Sequence, residues 1–175
     1  MKKHIIYIFI VTISSLGFYG CLPDKAEDAF VYKGAPVVEI KNQTLGVLAT
    51  VLNAKGVYAT TSQTDSSRTV LLNSRGIDSI LVQLVGPQSS SPTILNYSVR
   101  STSTAVEGTN YNFVPANART VTIPANSSSA YIQIAMIANS LTTAGTTRTV
   151  IIDLLGNSTI LPNPNYSKFL LTIRR

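Results

Sequence analysis

The chain has no tryptophan, one histidine and one cysteine in 175 residues. The histidine is His4, and the cysteine is Cys21. Past these two positions no imidazole or thiol remains, which excludes Ser-His-Asp and Cys-His catalysis, histidine general-base chemistry and ordinary zinc sites. With one cysteine there is no disulfide within the chain. Without tryptophan, a stacking platform for sugars or bases loses its best residue. Acids are few, 8 against 14 Lys and Arg, for a net charge of +6. A carboxylate-pair hydrolase needs two acids close in space, and its available members, Glu39, Asp65, Asp78, Glu107 and Asp153, are widely spaced. These absences predict a protein that is not an enzyme and that holds no cofactor and no metal.

Long apolar runs are also lacking. The longest, Ile5 to Phe18, has about fourteen residues, which suits a signal-peptide core of ~7–15 and falls short of a membrane span of ~20. Lys2 and Lys3 give it a positive start. Residues 1–20 therefore read as a signal peptide, residues 21–34 as a polar tether, and residues 35–175 as one domain. A small residue before a cysteine at the end of such a segment, here Gly20-Cys21, resembles the lipobox of bacterial lipoproteins. That resemblance implies lipidation of Cys21; the other reading is an unmodified thiol near an ordinary cleavage site. Two or more acyl chains hold a protein stably on a membrane, where one holds it marginally. Asp24, Glu27 and Asp28 follow the cysteine. They resemble the acidic export signal of Bacteroidetes surface lipoproteins, although a solvated linker also accounts for them. The implied location is the outer membrane, exposed at the cell surface, with a periplasm-facing anchor as the alternative. The remaining cations are dispersed, whereas nucleic-acid binders cluster theirs, so nucleic acid is not an expected partner.

What the chain does have is short alternating runs between Gly, Pro, Asn and Ser. Period-2 alternation predicts strands over Pro36–Lys41, Thr69–Leu72, Ser79–Val85, Asn96–Ser101, Arg119–Ile123, Ala130–Ile137, Arg148–Leu155 and Lys168–Arg174. The inward faces would carry Ile80, Val82 and Leu84, then Val121 and Ile123, Ile132, Ile134 and Met136, and Val150, Ile152 and Leu154. Thr44 to Thr61 can be strand, apolar loop or short helix. Asn73-Ser74-Arg75-Gly76 reads as a turn, and Pro124-Ala125-Asn126-Ser127 as a hairpin loop. No segment past residue 20 shows a sustained helical period. Seven or eight short strands at this spacing predict an all-β antiparallel sandwich of the immunoglobulin-like kind, with a barrel as the alternative.

Within it, Ala105, Gly108 and Tyr111, followed by Thr122, Ile123, Pro124 and Ala125, resemble the signature of Calx-beta domains. The likeness covers roughly Ser79 to Leu155. With the leader, it resembles the small Bacteroidetes lipoproteins that carry the domain of unknown function numbered 4843. The resemblance implies structural roles. Gly108 would permit a turn, Tyr111 would bury its ring at a sheet corner with its hydroxyl bonded to backbone, and Pro124 would help close a hairpin. Calcium, the chemistry of that family, needs several carboxylates. Asn110 stands where the family has Asp, and Ala138 to Thr142 replaces its acidic run.

The expected function is a non-catalytic, membrane-anchored module that binds a glycan or a protein partner for an uptake or adhesion system; a structural subunit of an outer-membrane assembly is the alternative. Binding is expected on the loops Val57–Arg68, Gly86–Pro92 and Leu155–Asn165, with Tyr58 and Tyr166 as the aromatic contacts. Asp78-Ser79-Ile80 resembles the O-glycosylation pattern of exported Bacteroidetes proteins, which would modify Ser79.

Overall fold

The computed structural model describes residues 32–42 and 66–175. Gly34–Arg175 forms one compact unit. The leader, Cys21, Asp65 and Tyr58 lie outside the described residues.

Among the described residues, ten strands build two five-stranded sheets: β1 (Val37–Lys41), β2 (Ser67–Leu71), β3 (Ile77–Val85), β4 (Thr93–Val99), β5 (Tyr111–Val114), β6 (Thr120–Ile123), β7 (Ser129–Met136), β8 (Thr147–Gly156), β9 (Leu161–Pro162) and β10 (Lys168–Arg174). One sheet has the order β5-β7-β3-β1-β9, and the other β2-β10-β8-β4-β6. The fold is thus an all-β sandwich. Its two sheets are mainly antiparallel, with β9 parallel to β1 and β2 parallel to β10 at their edges. The count exceeds the expected seven or eight because β5 has four residues and β9 has two, too few to display alternation.

Consecutive described strands lie in opposite sheets. The odd-numbered strands form the first sheet and the even-numbered ones the second. The hairpin expected at Pro124 is therefore not one. β6 pairs with β4, while β7 pairs with β3 and β5. The loop between them carries the chain across the sandwich, with Asn126 at a φ of 55° and its N–H donated to the Ser89 carbonyl at 2.7 Å. The turn expected at Asn73–Gly76 tightens into a single helical turn, α1 (Leu72–Arg75), between β2 and β3.

Period 2 explains which side chains meet. Val38 and Ile40, Ile80, Val82 and Leu84, and Ile132 and Ile134 face inward from the first sheet. Val121 and Ile123, Val150, Ile152 and Leu154, and Phe169, Leu171 and Ile173 face them from the second. Each such side chain contributes ~1.5–3 kcal/mol on burial.

One inward position on each side is charged. Arg68 of β2 and Asp78 of β3 have fully buried side chains. Arg68 sits in an edge strand of one sheet and Asp78 in the middle strand of the other. Arg68 Nε donates to Asp78 Oδ2 at 3.0 Å, and Nη2 donates to the same oxygen. Nη2 also donates to the Ser79 carbonyl at 2.7 Å, and Nη1 to Asn42 Oδ1 at 3.0 Å. The guanidinium carbon stands 5.3 Å from the Phe169 ring centre. Arg75 Nε, from α1, donates to Asp78 Oδ1 at 2.8 Å. A cation expected to be one of several dispersed in solvent is instead buried, because this network satisfies it.

Removing one partner of a buried pair leaves a desolvated charge behind, at a cost of ~3–5 kcal/mol. Asp78→Ala is expected to lower unfolding free energy by about that amount in urea titrations. The double variant Arg68→Met/Asp78→Ala should lose less than the two singles combined, by ~1–3 kcal/mol. Strictly additive losses would show that the two side chains are not coupled.

Candidate functional site

Part of the Calx-beta resemblance, Gly108 to Tyr111, closes a turn at the start of β5. Gly108 adopts a φ of 81°, a region open to glycine, and its N–H donates to the Tyr111 carbonyl at 2.8 Å. Asn110 Oδ1 accepts from the Val106 N–H at 2.9 Å, which closes the same turn. Tyr111 is buried, with its ring edge-on to Phe113 at 5.5 Å, and Tyr97 tilts against Phe113 at 5.3 Å. The backbone bond expected from the Tyr111 hydroxyl is not formed among the described residues. Pro124 does not join this cluster, since it lies in the crossing after β6.

A second ion pair closes over these rings. Arg119 Nη2 donates to Glu107 Oε2 at 2.7 Å, and its guanidinium carbon is 5.1 Å from the Phe113 centre. The other carboxylate oxygen of Glu107 is buried and has no partner among the described residues. Burial pushes both phenols, Tyr97 and Tyr111, up to about 12. For Tyr97 the Arg119 charge pulls back and Glu107 and Tyr111 add to the rise, while for Tyr111 Glu107 adds to the rise and Arg119 pulls back. With Glu107 held by Arg119, Asn110 spent on its own turn, and Asp153 held by Arg100 at 2.9 Å, these residues do not fit calcium, which needs several free oxygen ligands.

The other expected residues are scattered. Ser79 lies mid-strand on the outer face of β3, opposite Gln133, while its neighbour Asp78 is locked into the interior. Tyr166 ends a short 3-10 turn (Pro164–Tyr166) and is half-buried, with Lys41 Nζ 5.8 Å from its ring centre. Lys41 in turn donates to Glu39, which also accepts from Asn163. The 155–165 loop is tightly built. Gly156 has a φ of 71°, and a Cβ there would lie 2.2 Å from the Ile160 carbonyl oxygen. Asn157 Oδ1 accepts from both Thr159 and Ile160 N–H groups.

A groove of about 490 Å³ lies elsewhere, on the outer face of the β2-β10-β8 sheet. Ser67, Thr69, Thr147, Thr172, Leu170, Gly145 and Arg174 line it, beside Arg68. The pairing register explains its chemistry. Thr69 faces Thr172 across β2 and β10, and Thr172 faces Thr149 across β10 and β8. The Thr149 hydroxyl lies 3.1 Å from that of Thr104. The result is a row of hydroxyls across the sheet. Reasoning from the sequence missed this surface because it followed the apolar positions of each strand. The signal was in the alternate positions of the same strands, which are Thr69, Thr147, Thr149, Thr172 and Arg174.

No protein-family model matches the sequence, and no curated protein does. Among solved structures, a two-domain protein of unknown function from Bacteroides fragilis is similar over 85% of this chain and 47% of its own, at 8% identity and a TM-score of 0.51. The CBD12 region of Calx is similar over 62% of this chain and 42% of its own, at 18% identity and a TM-score of 0.49. The apo-form CBD1 domain of Calx shares 18% identity over 62% of this chain and 89% of its own, also at 0.49. The chain spans less than half the length of the first two. The Bacteroides fragilis likeness concerns the fold alone.

The raised phenols carry a pH dependence. A folded-state pKa near 12 against an ordinary value of 10.0 means that the unfolded chain loses these protons first. The corresponding stability is complete below pH 10 and declines as pH rises toward 12. Urea unfolding midpoints should fall across that window, and less steeply in Tyr97→Phe and Tyr111→Phe. An equal fall in the variants would assign the effect to other groups.

Proposed function

We propose that this protein is a non-catalytic binding module, lipidated at Cys21 and held on the outer membrane facing the cell exterior, where it takes a glycan or protein partner for an uptake or adhesion system. The observation that carries the binding role is the groove on the outer face of the second sheet, an open, hydroxyl-rich recess on a rigid sandwich. Its volume falls in the ~300–1,000 Å³ range of small-ligand sites. The non-catalytic reading draws support from the acids. Each of the four described carboxylate side chains, Glu39, Asp78, Glu107 and Asp153, is ion-paired with Lys or Arg. Such pairing occupies the carboxylates that a carboxylate-pair hydrolase would turn toward its substrate. The anchor draws support from the sequence, through Gly20-Cys21 after an apolar leader. The likeness to Bacteroidetes lipoproteins carrying a domain of unknown function agrees with this placement.

The test has two arms. Cells fed a labelled fatty acid should label the protein, and Cys21→Ala should abolish the label. Protease added to whole cells should degrade the wild-type protein. An unlabelled, soluble product would overturn the anchor. In the second arm, purified protein is presented to a polysaccharide panel and to solubilised outer-membrane proteins. Retention of at least one supports the binding role, and retention of none overturns it.

A further inference from the structure

The groove holds a positive charge that no carboxylate side chain among the described residues neutralises. Arg174 lines it directly. Arg148 pairs in register with Ile173, an inward position, so it leaves the sheet on the face opposite Arg174, as does Arg175. All three arginines are exposed. Lys41, Arg68, Arg75, Arg100 and Arg119 each hold a carboxylate. Among the described residues Arg148, Arg174 and Arg175 form no ion pair. Of the three, Arg174 faces the groove, and its unpaired guanidinium favours an anion placed there.

The groove adds selectivity to this charge. A threonine hydroxyl donates one hydrogen bond and accepts two. Thr147 is exposed and stands opposite Arg174 across β8 and β10, and Thr172 lies two residues before Arg174 on the same face, so the hydroxyls of a sugar beside a bound anion meet them. No aromatic ring lines the groove, which removes the stacking platform that single-stranded nucleic acids use.

We infer that the groove binds an acidic polysaccharide. The guanidinium of Arg174 takes a carboxylate or sulfate, an oxyanion geometry that a planar guanidinium matches with paired N–H donors. Thr147 and Thr172, which also line the groove, take the neighbouring sugar hydroxyls. This inference rests on the binding role proposed above and names the ligand class for that site.

The experiment is affinity electrophoresis of the purified protein in gels containing polygalacturonate, dextran sulfate or neutral dextran. Retardation is expected with one or both acidic polymers and not with dextran, and the two acidic arms distinguish carboxylate from sulfate. Arg174→Ala should weaken retardation by about tenfold or more. Lys168→Ala removes a charge from the same strand, roughly 20 Å away, and should change it by less than about twofold. Thr172→Val should weaken retardation while leaving the charge intact. An equal loss in Lys168→Ala would reduce the effect to net charge and overturn the inference. So would equal retardation by neutral dextran, or tighter binding of a single-stranded DNA oligomer with the same arginine dependence. Capture of a membrane protein that Arg174→Ala leaves unchanged would overturn it while sparing the binding role, and failure of wild-type protein with every polysaccharide and protein would remove both.

Discussion

The ion pair between Arg68 and Asp78 is the constraint around which this sandwich is arranged. Apolar faces alone leave two sheets free to slide or to exchange near-equivalent neighbours, because aliphatic side chains of similar volume substitute for one another at modest cost. A buried guanidinium has no such tolerance. It needs its carboxylate, its Asn42 amide oxygen and its Ser79 carbonyl at once, and any other register strands a charge in a dry interior. The pair joins β2 to β3, which are consecutive in sequence and belong to different sheets. It therefore fixes where the chain leaves one sheet and enters the other. The single helical turn of α1 places Arg75 on the second carboxylate oxygen, so the crossing and the charge network specify each other.

That crossing is repeated throughout the domain. With odd-numbered strands in one sheet and even-numbered ones in the other, every described strand finds its partners at a distance in sequence. Loop closure must then precede the reward of pairing, which is the slow regime of folding. The backbone devices follow from this. Asn126 turns the chain out of β6 through a positive φ, and Gly156 turns it out of β8 where any side chain would strike Ile160. These positions close crossings from sheet to sheet, a geometry for which the two-residue hairpin turns are unsuited.

The inward faces were legible in the sequence because burial and period 2 act together. Ile80, Val82 and Leu84, or Val150, Ile152 and Leu154, admit one reading, and the structure buries each of them. Connectivity was not legible. Two strands flanking Pro-Ala-Asn-Ser look the same whether they pair with each other or with distant neighbours, so Pro124 suggested a hairpin where there is a crossing. Arg68 was hidden for a related reason. Its partner lies ten residues on, in another sheet, and nothing local marks a cation as buried. The four residues of β5 and two of β9 are below the length at which alternation is visible.

The groove was missed through the converse of the same rule. A strand has two faces, and reading the apolar one discards the other. Thr69, Thr149 and Thr172 occupy outward positions, and only the pairing register turns three isolated threonines into a row. The motif that first drew attention is saturated by comparison. Tyr97, Tyr111 and Phe113 pack on one another, Asn110 closes a turn, and Glu107 is held by Arg119 above the rings. A site needs groups whose hydrogen-bonding capacity or charge is left over after folding. In the described part of this chain Arg174 and Thr147 at the β8–β10 end have that surplus, and the motif residues have almost none. The one exception, the orphaned oxygen of Glu107, is already buried beneath the arginine that neutralises it.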